Sequence, residues 1–216
     1  MNEEIQKNSL VNQVYLLMIK RIQNGTIAQG ERLKIEELAS DFSVSRTPVR
    51  EAINRLAQAG FVEQSHNSGP RVSRFNNRQK LDILKTNAVL FGGVIDSYRD
   101  YAGFEGLLKE LEKILKEQKE AHLNEEINTF YEKSILFHIV LIESCPNETM
   151  KNFALQTQYQ INMCALYYQK EAAFRERSVS EHAEILQALK TKNFDEAILL
   201  MNRHIKSAAI SIFGHW

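Results

Sequence analysis

Residues 45–56 place two arginines and two hydroxyl side chains at the start of a predicted helix. Arg46 and Arg50 fall near the positive end of the helix dipole, so the exposed tip is cationic and rich in donors. A guanidinium can donate two parallel hydrogen bonds to a guanine edge, and hydroxyl groups suit phosphate oxygens. Ser45, Arg46, Thr47 and Arg50 are therefore candidate DNA contacts, although these residues alone fit a capped, solvated surface helix almost as well.

Three histidines in the second half of the chain each share the apolar side of a different predicted helix. They are His138, within the apolar residues 135–140, and His182 and His204 further along. One such histidine alone is typical of a hydrogen-bonded core residue. Three that converge from three helices favour a divalent transition metal, because imidazole suits Zn, Ni, Fe or Cu.

The arginines need a rigid helix to hold them, and the sequence predicts one. Ser45 can cap the first turn with its hydroxyl, and Pro48 is tolerated there because early helix N–H groups have no intrahelical partner. Val49, Ile53 and Leu56 follow the i, i+4, i+7 spacing of a buried side.

The elements around this helix form a pattern of their own. A helix that begins near Leu10 ends at Gly25, and a short helix from about Ile35 is joined to the arginine-bearing helix by residues 41–44. Residues 61–64 and 71–74 alternate as strands around a polar loop. A helix-turn-helix followed by a hairpin predicts a winged helix.

The remainder of the chain predicts an all-α antiparallel bundle. Asn76, Asn77, Arg78 and Gln79 are expected to form a short linker, so that residues 1–75 and 76–216 are separate domains. Gly92 and Gly93 are expected to mark a kink or a close helix crossing. The predicted helices span 79–101, 104–122, 125–144, 148–170, 172–190 and 193–212.

Composition narrows the class of protein. The 216 residues carry 27 Lys and Arg against 27 Asp and Glu, so DNA contact must come from local placement of charge. Cys145 and Cys164 have neither metal-knuckle nor redox spacing. The start of the chain predicts no signal peptide, and the most apolar run, residues 135–142, is too short to span a bilayer. We expect a cytoplasmic protein with no membrane partner.

The first third of the chain closely resembles the winged-helix domain of GntR-family bacterial transcription regulators. This resemblance implies operator contacts from Ser45, Arg46, Thr47 and Arg50, and from a wing formed by His66, Asn67 and Gly69 with Arg71 nearby. Some members carry a guanine-reading Arg in the preceding helix where this chain has Glu36, so a different operator is expected. The residues that carry the resemblance are Leu38-Ala39, Phe42, Val44-Ser45-Arg46-Thr47-Pro48-Val49-Arg50-Glu51-Ala52, Leu56, Gly60-Phe61-Val62 and Gly69-Pro70-Arg71-Val72.

The bundle is similar to the FadR C-terminal domain, FCD, of the same regulators. The similarity rests on Phe137-His138, Asn147, Glu181-His182 and the run from Ala197 to His204. It implies a homodimer with a small effector, and a metal held by His138, His182 and His204. The family's metal-binding Asp corresponds to Ser134, and its carboxylate-clamping Arg falls near Asn87, which makes these two residues candidates for the effector pocket.

Three functions follow as hypotheses. The first is a repressor that binds a pseudo-palindromic operator and responds to a small metabolite, possibly an organic acid, with Zn or Ni in the bundle. The second is a regulator without metal that responds to an apolar or acyl ligand. The third, of another class, is a hydrolase in which a three-histidine metal activates water. The predicted winged helix has no role in an enzyme, and Glu181 and Glu184 are interpreted as surface residues, so a regulator is favoured.

Overall fold

The computed structural model describes residues 10–65, 69–165 and 172–216. Within this part of the chain, contacts separate two compact units, with the division after Phe75. The prediction of a winged helix-turn-helix followed by an all-helical bundle is confirmed.

The first unit contains a helix-turn-helix. Its second helix buries the side that the spacing of its apolar residues predicts. Val49 and Leu56 are fully buried. The tight turn depends on Ser43, which has a left-handed φ of 54°, and on the Val44 amide, which donates to the Ala39 carbonyl at 3.0 Å. The elements are α1 (Leu10–Gln23), α2 (Ile35–Asp41), α3 (Arg46–Gln58), β1 (Val62–Ser65) and β2 (Gly69–Val72).

The second strand of the hairpin begins earlier than the sequence predicts. β2 begins at Gly69, two residues before the expected strand, because Gln64 and Pro70 face each other and Ser65 faces Gly69. The Leu33 amide also donates to the Pro70 carbonyl at 2.8 Å, so the segment before α2 pairs with β2.

Among the described residues of the second unit, all regular secondary structure is helical, as predicted. Helix α4 packs on α7 and α9, while α5 packs on α6 and α8, and α8 contacts α9. The six helices are α4 (Asn77–Asp96), α5 (Phe104–Leu123), α6 (Ile127–Glu143), α7 (Glu148–Ala165), α8 (Ala172–Lys190) and α9 (Phe194–Phe213).

The predicted linker is in fact the beginning of α4. The Asn76 side chain accepts a hydrogen bond from the Gln79 amide, and the Gln79 side chain accepts one from the Asn76 amide, each at 2.9 Å. This reciprocal capping box starts the helix directly. At its other end α4 stops at Asp96 rather than at residue 101, because Tyr98 turns inward and its hydroxyl donates to the Leu141 carbonyl.

The Gly92-Gly93 pair marks a close helix crossing, and α4 runs through it as one helix. A Cβ on Gly93 would lie 2.8 Å from the Met150 Cε of α7, so the missing side chain lets these helices approach. No helix in the described ranges has both the length and the apolar character needed to cross a bilayer.

Candidate metal centre and nucleic-acid interface

The start of α3 presents the four polar residues that the sequence analysis singled out. Ser45, Arg46, Thr47 and Arg50 are all exposed, whereas Pro48 is buried. These four exposed residues are here called the cationic tip. Ser45 stands at the N-cap position with extended backbone angles, but its side chain makes no capping hydrogen bond, so that part of the prediction is wrong. The hydroxyl therefore has no role in closing the first turn.

Two arginines of α3 have partners on neighbouring helices. Glu36 of α2 places its Oε1 atom 3.5 Å from Nη1 of Arg46. Arg55 donates to the Asn12 side chain at 3.3 Å and lies over the Tyr15 ring, 4.5 Å from its centroid. Arg55 thus joins α3 to α1.

The wing is described only at its base. His66 and Asn67, which were predicted to contact DNA, lie outside the described residues. Gly69 has a φ of +71°, a conformation that L side chains rarely adopt. Arg71 is exposed, and its Nη1 atom donates to the Gly30 carbonyl at 3.2 Å, which holds it against the segment that precedes α2.

The three predicted histidines meet at one point inside the second unit. His138 comes from α6, His182 from α8 and His204 from α9. Their Nε2 atoms lie 3.2 Å apart for His138 and His182, 3.2 Å for His138 and His204, and 3.3 Å for His182 and His204. His182 and His204 are buried, while His138 is half-buried. These residues are here called the histidine cluster.

Buried acceptors orient two of the imidazole rings. Gln118 of α5 places its Oε1 atom 2.9 Å from Nδ1 of His182, and Glu181 places its Oε2 atom 2.7 Å from Nδ1 of His204. Both acceptors assign the ring proton to Nδ1. The two Nε2 lone pairs then face each other at 3.3 Å, an arrangement that a cation between them stabilises.

Burial favours the uncharged form of two of the imidazoles, His138 and His182. Burial holds the pKa of His138 well below its ordinary value, and a nearby His204 lowers it further. Burial also lowers the pKa of His182, with contributions from His204 and His138. Neutral imidazole is the form that coordinates metals.

The geometry fits a metal with three nitrogen ligands. At Zn–N distances of about 2.0–2.1 Å, two ligands of a tetrahedral ion lie about 3.3 Å apart, close to the spacing of the three Nε2 atoms. The ring of Phe137 stacks on His182 at 4.2 Å and further fixes that ligand. The histidine cluster therefore has the donor set and the spacing of a transition-metal site, with the tautomers of His182 and His204 oriented by their acceptors.

A cavity of about 80 Å³ opens beside the histidine cluster. It brings together the two predicted pocket residues, Asn87 and Ser134, with His138 and His204. Asn162 also lines it, is 2% exposed, and has an amide nitrogen without a hydrogen-bond partner among the described residues. The cavity thus offers a buried donor to a ligand that bears an acceptor oxygen.

Sequence reasoning missed Glu181 and Gln118. Glu181 was interpreted as a surface residue but is buried against His204, whereas Glu184 is exposed and pairs with Arg203. A signal for Glu181 was available, because it lies three residues after buried Ser178 on the same side of α8. Gln118 likewise stands in the buried stripe of α5, where a polar residue among apolar ones indicates a buried hydrogen bond.

Comparison with known proteins agrees with this two-part structure. Residues 10–72 match the family described as "Bacterial regulatory proteins, gntR family", and residues 105–207 match the FCD domain. The HTH-type transcriptional regulator YdhC of Bacillus subtilis is 29% identical over 186 residues, 86% of this chain and 83% of that protein. The gluconate operon transcriptional repressor of the same organism is 27% identical over 190 residues, 85% of this chain and 76% of its own length.

Solved structures share the fold. E. coli McbR/YncC has a TM-score of 0.83 at 20% identity and covers 95% of this chain and 98% of its own. The two domain matches occur in the same order along the chain as the two units of the structure. The chain belongs to the GntR family and is a DNA-binding transcriptional regulator with an FCD domain.

Proposed function

We propose that this regulator is a homodimeric repressor that reads a pseudo-palindromic operator with the cationic tip. Arg46 and Arg50 donate to guanine edges, Ser45 and Thr47 contact phosphates, and the wing, with His66, Asn67, Gly69 and Arg71, lies along the neighbouring groove. Exposure of all four tip residues on a helix anchored by a buried side supports these roles. Similarity to the gluconate operon transcriptional repressor supports repression.

We further propose that the histidine cluster binds Zn or Ni and forms one wall of the effector pocket. The observation that carries this proposal is the near-equilateral triangle of Nε2 atoms, two of them oriented by buried acceptors. A bound divalent ion supplies a Lewis-acidic position at the cavity wall. Asn162 then donates to a ligand oxygen, and Asn87 and Ser134 complete the polar lining.

The size of the cavity favours a compact effector. A volume of about 80 Å³ among the described residues suits a small organic acid better than a long acyl chain. The described lining residues carry no formal cation, so the metal is the source of positive charge for an acid. Gluconate is the first probe, given the relative that regulates a gluconate operon.

Metal content tests the second proposal directly. Protein purified without chelator is expected to hold about one transition-metal ion per chain by elemental mass spectrometry. His182→Ala is expected to lose it, whereas His215→Ala, which changes an exposed histidine, keeps it. Wild-type protein without transition metal, or His182→Ala with the wild-type amount, contradicts the proposed site.

Effector binding is tested on the same preparations. Isothermal titration with gluconate is expected to give heat with the metal-loaded protein and none after chelation. Asn162→Leu is expected to weaken the titration while metal content stays unchanged, because the buried donor is removed. Equal heats with loaded and stripped protein contradict a role for the metal in effector binding.

A further inference from the structure

An acidic side chain lies at the edge of the cationic tip. Glu36 Oε1 is 3.5 Å from Arg46 Nη1, and the two side chains are 65% and 68% exposed. The next residue, Glu37, is equally acidic and similarly exposed but pairs with Lys34 at 2.7 Å instead. Exposed pairs of this kind add little to folding stability. The Glu36–Arg46 pair therefore matters for the charge that it places beside the cationic tip and not for folding.

A carboxylate beside a DNA-binding arginine has a defined electrostatic effect. In the free protein Glu36 partly neutralises Arg46, so that arginine contributes less to contacts with phosphates. When Arg46 turns to a guanine, Glu36 loses its partner in a groove bordered by negative phosphates. That loss is offset only where the base edge supplies a hydrogen-bond donor to the carboxylate.

The major groove offers few such donors. They are the N4 amine of cytosine and the N6 amine of adenine, and adenine places its N7 acceptor beside the amine, where it repels a second carboxylate oxygen. We propose that Glu36 is a specificity-determining residue that accepts a hydrogen bond from a cytosine N4 amine next to the guanine contacted by Arg46. This inference rests on the proposed placement of the cationic tip in the major groove.

The pair also lowers affinity for other sequences. On DNA without the cytosine, Arg46 either stays with Glu36 or leaves the carboxylate unpartnered, and both outcomes weaken binding. Glu36 thus raises the ratio of specific to non-specific affinity, the quantity that decides occupancy among many competing sites.

Two charge-matched variants of the full-length protein test this role. Glu36→Gln and Glu37→Gln each remove one negative charge from the first turn of α2, but only the first releases Arg46. Each protein selects sites from a pool of random-sequence duplexes. Wild type and Glu37→Gln are expected to select cytosine at one position beside a guanine. Glu36→Gln is expected to lose that preference by about 5-fold or more and to move toward adenine, the base that Gln pairs with best.

Salt dependence gives a second measurement. Non-specific binding by Glu36→Gln is expected to show a log–log salt slope steeper than that of Glu37→Gln by up to about one, because Arg46 gains a phosphate contact. Identical base preferences for both variants at every position overturn the inference. Failure of the underlying function is recognised separately, since Arg46→Ala then keeps the full specificity of the wild type.

Discussion

The cationic tip and the histidine cluster differ in how their residues are brought together and in how exposed they are. The tip takes its polar groups from positions 45–50 of one helix start and holds them in solvent. The cluster takes its ligands from three helices, with His138 and His204 separated by 66 positions, and holds them in the core. Local geometry is enough to build the first site, whereas the second exists only after α6, α8 and α9 have packed.

This difference predicts how each site responds to substitution. Exposed tip residues make few packing contacts, so their loss should change DNA affinity and leave folding stability intact. Residues at the histidine cluster contribute to both ligand binding and the core, so the two properties should change together. The four predictions that follow test that separation, in order of decreasing effect.

The largest effect is expected from Arg46→Ala combined with Arg50→Ala. Each guanidinium provides about 1–3 kcal/mol of base discrimination, so specific operator affinity should fall at least about 30-fold. Fluorescence anisotropy with a selected duplex measures the loss, and the thermal midpoint should stay at the wild-type value. Arg55→Ala is the control on the same helix, since that side chain contacts Asn12 and Tyr15. A wild-type affinity in the double variant contradicts the role of the tip.

A smaller effect is expected from Glu181→Gln at the histidine cluster. The carboxylate orients His204 through Nδ1, and loss of such a partner weakens metal affinity by about 10- to 100-fold. Competition with a chromophoric chelator measures the change. Glu184→Gln, on the same helix, removes the same charge from the surface and should leave metal affinity unchanged. If both variants bind metal equally well, Glu181 does not orient the ligand.

The third prediction concerns the metal-free protein as pH falls. The pKa values of His138 and His182 are lowered in the folded state, so the unfolded chain binds more protons below about pH 6.5. Their contribution to stability is complete above that pH and is lost as the pH falls toward the folded pKa values. Thermal unfolding after chelation should show a falling midpoint, and His138→Leu should reduce the slope. An unchanged slope in that variant contradicts the assignment.

The smallest effect is expected from Ser43→Gly in the tight turn of the first unit. Relief of a left-handed φ outweighs the entropy of glycine by about 0.5 kcal/mol, so stability should rise slightly. Ser40→Gly, in the last turn of α2, should have the opposite sign, because glycine has a lower helix propensity than serine. Metal affinity should be unchanged in both. A loss of stability in Ser43→Gly shows that another contact holds the turn.

The same contrast explains what the sequence could predict. The tip was predictable because its residues and their buried anchors lie within one short segment. The three histidines were predictable as candidates, since each interrupts the apolar side of a helix. Their spacing was not, because it depends on how three helices pack.

Each of the other errors has an identifiable structural cause. Asn76 and Gln79 look like a polar linker until their reciprocal hydrogen bonds are seen. The end of α4 depends on Tyr98 reaching a carbonyl of α6, a contact 43 positions away that no local pattern contains. Glu181 shows the reverse case, since its place on the buried side of α8 was visible in the spacing and was overlooked.

The capping box at Asn76 starts the second unit on a helix from its first residues. Four residues separate the end of β2 from the start of α4. Asn87 at the cavity wall lies ten positions along the same helix from Asn77, about 15 Å at 1.5 Å per residue. A continuous helix of that length bends little. Asn87 of the proposed effector pocket and the first turn of α4, which follows the hairpin by four residues, therefore belong to one continuous helix.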